Sequence, residues 1–146
     1  MAIEEERVNQ ILNEMLALDN PAMLYHRACM YYDSAKEKDS DAATQDYKEA
    51  VKWFRKAADQ GHSGAQCGLA CMYRDGIEIE QDSEKAVKWF TKAADQGNPL
   101  ACILLATMYR DGIEIEQDSE KAVKWFSKAF PRGNARAQEW LEEHKT

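Results

Sequence analysis

Long apolar runs are missing from this 146-residue sequence: none approaches the roughly 18 residues that a membrane-crossing helix needs. Basic excess is missing too. A net charge of -7 excludes a general binder of nucleic acid or anionic membranes, both of which call for surplus Lys and Arg. The opening Met1-Ala2-Ile3-Glu4-Glu5-Glu6 lacks the basic-then-apolar order of a secretory leader, so a cytoplasmic location is expected. Four cysteines, at 29, 67, 71 and 102, recur at no fixed spacing, which excludes a disulfide framework and points to reduced thiols. The three histidines (His26, His62, His144) form no cluster, and no Ser-His-Asp, Cys-His, phosphate-loop or dinucleotide fingerprint occurs. A non-catalytic chain without cofactor or metal is expected.

What is present is repetition. Tyr73 to Phe90 returns unchanged from Tyr109 to Phe126, 36 residues later. Such a period signals stacked supersecondary units, each unable to bury its apolar face alone. In each unit a first helix (A) ends at Asp75-Gly76 or Asp111-Gly112, where glycine takes a left-handed turn. An Ile-Glu-Ile-Glu connector follows, and Asp82 or Asp118 caps the second helix (B), with Ser83 or Ser119 just inside it. Gly61, Gly97 and Gly133 close the B helices, and Asn20-Pro21 and Asn98-Pro99 open A helices as cap plus first-turn proline. Asp33 to Gln45 reads as a polar connector, about six residues longer than its counterparts and without their Asp-Gly.

Residues 3–18 carry Val8, Ile11, Leu12, Met15 and Leu16 on one helical stripe. Shifted by 78 residues, these positions fall on Ala86, Trp89, Phe90, Ala93 and Ala94, so the opening helix reads as a B helix. From Asn134, Ala137 and Leu141 fall in register with Ala101 and Leu105, an A helix with the polar end Glu142-Glu143-His144-Lys145. The expected organisation is one repeat domain over 1–146: an N-terminal capping helix 1–19, repeats 20–61, 62–97 and 98–133, and a C-terminal capping helix 134–146.

The spacing of Ala65, Leu69, Ala70, Tyr73, Gly76, Ile79, Asp82, Lys85-Ala86, Trp89-Phe90, Lys92-Ala93-Ala94 and Gly97 resembles the Sel1-like repeat, a relative of the tetratricopeptide repeat. The resemblance implies an all-α fold, a right-handed α-solenoid of antiparallel helix pairs. It also implies an adaptor or scaffold that holds a peptide or protein on a concave face lined by A helices. Some bacterial members are proposed to act as immunity proteins, which makes an inhibitor that occludes a partner enzyme or toxin the alternative. The family usually has a second glycine where Glu78 and Glu114 stand.

Wheel arithmetic at 100° per residue divides each A helix into a packed and a free side. The free side holds Ala22, Tyr25, Cys29, Tyr32 and Asp33 in the first repeat. In the second it holds Gly64, Cys67, Cys71, Arg74 and Asp75, and in the third Leu100, Ile103, Thr107, Arg110 and Asp111. This predicts a groove with an apolar floor and Arg-Asp pairs along one edge. Tyr25, Cys29, Tyr32, Cys67, Cys71, Arg74, Leu100, Ile103, Thr107 and Arg110 are the candidate partner-binding residues. Related adaptors that grip an acidic peptide C-terminus use Lys and Asn at groove positions held here by Tyr25, Cys67, Ile103 and Cys29, Cys71, Thr107, so no such clamp is expected. The expected partner segment has apolar or aromatic anchors and an acidic residue for Arg74 or Arg110.

Other constellations read as structure. Trp53, Trp89 and Trp125 recur at core spacing, with Trp89 at the margin of its stripe. Lysine columns at 52, 88, 124 and 56, 92, 128 are interleaved with Glu84, Glu120, Asp59 and Asp95, the pattern of a solvated face. Cys67 and Cys71, with Cys29 at the matching place, lack a fourth zinc ligand, since His26 lies in another sector. The acidic connector Asp75, Glu78, Glu80, Asp82 does not match a calcium loop.

Overall fold

A computed structural model describes residues 2–17, 20–112, 114–130, 139 and 142–143. Seven helices and no strand are present among them: α1 (Ala2–Ala17), α2 (Pro21–Lys36), α3 (Ser40–Asp59), α4 (Ser63–Asp75), α5 (Ser83–Asp95), α6 (Pro99–Asp111) and α7 (Ser119–Ala129). The chain divides into two compact units, Met1–His62 and Ser63–Thr146. Gly133 and the 134–146 helix pattern lie outside the described residues, apart from helical Glu139, Glu142 and Glu143.

In the first unit α2 (an A helix) pairs with α3 (its B helix). Asn20 accepts the Ala22 N–H at 2.9 Å with Pro21 at the first turn, and Asp39 accepts the Ala42 N–H at 3.1 Å. Each satisfies a donor that a helix start leaves without a partner. The stretch 33–45 departs from its reading as a loop. α2 runs to Lys36 and α3 begins at Ser40, so the extra residues lengthen the helices. Ala35 and Ala43 are buried on these extensions, and Asp46 ties them together, accepting from Ser34 Oγ at 2.8 Å and Lys38 Nζ at 2.6 Å. At the far end Gly61, with φ +90°, donates to Ala58 O while His62 N–H donates to Ala57 O, a left-handed stop that caps the carbonyls of α3.

α1 forms over the span its periodicity predicts, but its stripe is not covered. Val8, Ile11 and Leu12 are 54%, 47% and 48% exposed. Periodicity places apolar side chains on a common face and says nothing about whether a neighbour arrives to bury it. The side chains of Met15 and Leu16 lie outside the described residues.

In the second unit α4 pairs with α5, α6 with α7, and α6 also packs on α5. Alanines at 65, 70, 86, 93, 94, 101, 106 and 122 are buried, and their small size lets the helix axes approach. Phe90, Leu69, Met72 and Leu105 fill the space between as the largest fully enclosed side chains. Burying one such side chain is worth about 1.5–3 kcal/mol. Asp82 and Asp118 cap α5 and α7, accepting from Lys85 N and Lys121 N at 3.0 Å. The connectors are pinned twice. Gln81 and Gln117 donate to the Arg74 and Arg110 carbonyls at 2.9 and 2.8 Å, and the Asp82 and Asp118 N–H groups donate to Tyr73 O and Tyr109 O at 2.9 Å. Pinning puts Glu78 and Glu114 at φ +56° and +62°, the left-handed region that favours glycine.

Two of the three repeat tryptophans depart from a core role, while Trp125 keeps it at 5% exposed. Trp53 and Trp89 are half-buried, and the B-helix core is carried instead by Phe54 and Phe90. Cations lie over the indoles: Arg27 at 4.2 Å, Lys52 at 4.8 Å and Lys56 at 5.2 Å over Trp53, and Lys92 at 4.6 Å over Trp89. Part of each lysine column thus shields aromatic surface, its stem lying on the ring and its ammonium in water.

Candidate interaction surface on the A helices

The two tyrosines expected on the free side of α2 fold back against α3. Tyr25 stacks on His62 at 4.5 Å and tilts against Phe54 at 6.0 Å. Tyr32 meets Tyr47 and Phe54 edge-on at 5.5 and 6.5 Å, with the Lys36 ammonium 4.6 Å from its ring. Helical angle alone places the Cβ, whereas a phenol ring reaches far enough to bury itself on the neighbouring helix. Cys29, between them, is half-buried, and burial raises its thiol pKa against a hydrogen bond from Tyr25.

On α4 the placement of Cys67 corrects the expected free side, because it is only 4% exposed. It is smaller than its counterparts Tyr25 and Ile103, which stay half-exposed, and a short side chain close to the helix axis is easily overtopped. Cys71 lies one turn on along the same helix, and this neighbouring thiol and burial push the Cys67 pKa up. Cys71 is half-buried.

Arg74 is not idle. Its Nε and a terminal nitrogen donate to the two carboxylate oxygens of Asp75 at 2.9 and 3.1 Å, a bond that raises its own pKa further. Arg110 repeats the arrangement with Asp111 at 2.9 Å. Both guanidinium groups also lie about 6 Å from a phenylalanine ring of the paired B helix, Phe90 and Phe126. Each of these Arg-Asp pairs is therefore closed on itself.

α6 supplies the open apolar surface. Leu100 is 56% exposed, Ile103 and Leu104 are half-exposed, and the Thr107 hydroxyl donates to Ile103 O at 2.8 Å. This stripe leads to a cavity of about 350 Å³ within the second unit, walled by Leu104 and Met108 and rimmed by Arg74, Asp75, Thr107, Asp111 and Glu114. Of these, Arg74 and Thr107 are among the residues expected to bind and Asp75 and Asp111 among those expected on the free side, whereas Leu104, Met108 and Glu114 are not. A second cavity of about 460 Å³ lies against Val87, Lys88, Tyr109, Ile115 and Lys121. Among the described residues, no three His, Cys, Asp or Glu side chains converge to hold a metal ion, and no helix is long and apolar enough to cross a membrane.

The family model for the Sel1 repeat matches residues 23–62, 63–98 and 99–134. Among solved structures, the chain is similar to a Sel1 repeat protein from Oxalobacter formigenes, at 32% identity and a TM-score of 0.67 over 86% of this chain. It is also similar to c5321, a protective antigen present in uropathogenic Escherichia coli strains and displaying the same repeat fold, at 25% identity and a TM-score of 0.59 over 88% of this chain. The matched regions are 49% and 35% of those longer proteins. No curated protein matches the chain. With three matched repeats, the helix pairs α2–α3, α4–α5 and α6–α7, and an α-solenoid fold shared with these structures, the chain belongs to the Sel1 repeat family.

Proposed function

We propose that this chain is a non-catalytic binding module that takes a segment of another protein along the outward side of α6 and the adjoining end of α4. The observation that carries this reading is Leu100, a large aliphatic side chain left 56% exposed at the head of a stripe that runs through Ile103 and Thr107 to the 350 Å³ cavity. Sel1 repeats generally mediate protein–protein interaction, which supports the class of activity. The partner supplies apolar or aromatic anchors for Leu100 and Ile103. An acidic residue on the partner adds less, since Arg74 and Arg110 each already hold a carboxylate and a newcomer must displace it.

Burying the exposed part of Leu100 against such an anchor is worth about 1–2 kcal/mol, a factor of about 5–30 in affinity. The test is selection of displayed peptides on the full chain, followed by titration against Leu100→Asp, Ile103→Asp and the outer-face control Lys88→Glu. Binders rich in apolar anchors, weakened at least about fivefold by either Asp variant and unaffected by the control, are expected. Binders that titrate identically on all four proteins overturn the assignment.

A further inference from the structure

Leu104 and Met108 wall the 350 Å³ cavity beside the α6 stripe with apolar surface. Around it, the hydrogen-bond donors are turned away to other protein groups. Arg74 directs Nε and a terminal nitrogen to Asp75 at 2.9 and 3.1 Å, and the Gln81 amide nitrogen donates to Arg74 O at 2.9 Å. The Thr107 hydroxyl gives its proton to Ile103 O at 2.8 Å. What Gln81 and Thr107 still offer is acceptors, an amide oxygen and the lone pairs of a hydroxyl.

Charge runs the same way. Asp75 and Asp111 are matched by Arg74 and Arg110, whereas the exposed Glu114 on the same rim has no ion pair or hydrogen bond among the described residues. The rim thus carries one unbalanced negative charge, in a chain whose net charge is -7. Deeper lies Ser83, in the first turn of α5. It is 8% exposed, it lines the cavity, and its hydroxyl has no hydrogen-bond partner among the described residues. No buried side-chain oxygen among those residues is both sealed and unpartnered, so the Ser83 hydroxyl opens to the cavity. Buried polar groups are as a rule hydrogen-bonded, and a ligand is what can satisfy this one.

We propose that this cavity is a binding site for an aliphatic cation, the lysine or arginine side chain of the protein segment that lies along α6. Its stem rests on Leu104 and Met108, and its N–H groups go to Glu114, Ser83 and the Gln81 oxygen. The sign is opposite to that of the acidic residue expected at the Arg74 and Arg110 positions, because both guanidinium groups are held by their neighbours. A carboxylate entering here meets a surplus of acceptors and the like charge of Glu114. An ammonium or guanidinium brings donors and no acceptor of its own, and its methylenes gain apolar contact while the charged end stays near the open rim. That the cation belongs to a partner's side chain rests on the reading of α6 above; the preference for an aliphatic cation does not.

The test titrates the full chain, carrying isotope-labelled methionine methyls, with hexylammonium and with hexanoate, probes alike in stem and opposite in charge, and follows Met108 by NMR. Hexylammonium is expected to shift the Met108 methyl saturably, with an affinity about fivefold or more above that of hexanoate. Glu114→Lys should bring that ratio to about one or below, and Glu114→Gln, which keeps the size and removes the charge, should lower it. Glu120→Lys makes the same change of charge on exposed α7 surface away from the cavity and should leave the ratio unaltered. Hexanoate that binds as tightly as hexylammonium overturns the proposal, as does a Met108 methyl that neither probe shifts, or an unchanged ratio in the folded Glu114 variants. Leu100 and Ile103 are not among the residues lining the cavity, so these probes report on it alone. The α6 groove is decided by the peptide titrations with Leu100→Asp and Ile103→Asp; a groove that fails there takes the partner's side chain with it, while the preference for a cation remains.

Discussion

Replacing three glycines by alanine, one at a time, separates backbone strain from steric crowding in the second unit. Gly97, Gly76 and Gly112 have φ of +86°, +68° and +62°, so a Cβ at any of them meets the left-handed penalty of about 1–2 kcal/mol. Part of that is offset, by about 0.4–1 kcal/mol, because alanine restricts the unfolded chain. At Gly97 nothing lies within 4 Å of the added Cβ, so only the balance of about 0.5–1 kcal/mol remains. At Gly76 the Cβ comes to 3.2 Å from Gln81 Cβ. At Gly112 it comes to 2.8 Å from Gln117 Cβ and 3.1 Å from Gln117 Cα and N. That loop cannot step back without giving up the Gln117–Arg110 and Asp118–Tyr109 hydrogen bonds, so overpacking adds a further 1–3 kcal/mol or so. The expected order of destabilisation is Gly97→Ala, then Gly76→Ala, then Gly112→Ala. Urea unfolding followed by far-UV circular dichroism reads it as midpoints at constant slope. A Gly97→Ala variant as damaged as Gly112→Ala would refute the crowding argument.

The reverse change, Glu78→Gly or Glu114→Gly, relieves a left-handed non-glycine residue and is expected to leave stability unchanged or raise it by up to about 1 kcal/mol in the same melts; a clear loss contradicts the strained geometry. Phe90→Ala empties a fully enclosed site and should cost about 3–5 kcal/mol, whereas half-buried Trp89→Ala should cost visibly less, an order that differential calorimetry checks. Ile11→Ser on the uncovered stripe of α1 should change stability by no more than about 0.5 kcal/mol in the same melts, and a core-sized loss would mean that the stripe is packed. Asp46 is held below the usual carboxylate pKa by hydrogen bonds from Lys38 and Ser34. Its stabilising contribution is therefore present above the unfolded value of about 3.9 and disappears as pH falls through the lower folded value. Asp46→Asn should flatten the acid limb of stability against pH, and an unaltered limb counts against the bond network.

Helix starts and stops were the most legible features, because they depend on single residues acting over one turn. Asn20, Asn98, Asp82 and Asp118 cap where their side-chain chemistry says they should, and Gly61, Gly76, Gly97 and Gly112 take the left-handed turns. Features that depend on reach or on a neighbour were not legible. The stretch 33–45 is polar enough to read as a loop, yet Asp39 supplies a cap and Ala35 and Ala43 find burial, so the helices extend. The wheel gave Tyr25 and Tyr32 the right angle and the wrong contacts, since it carries no side-chain length. Cys67 sank beneath the surface for the opposite reason. The self-closed Arg74–Asp75 and Arg110–Asp111 pairs needed rotamers that spacing does not contain.

Tyr73–Phe90 and Tyr109–Phe126 are the same eighteen letters, yet their indoles differ. Trp89 lies half open under one lysine, while Trp125 is enclosed, with Lys124 and Lys128 over its ring at 5.0 and 4.6 Å. The duplicated segment thus carries two chromophores of unequal polarity, one quenchable by solutes and one sheltered. Light emitted by this unit is a sum of distinguishable signals, and twin substitutions at equivalent letters are different experiments.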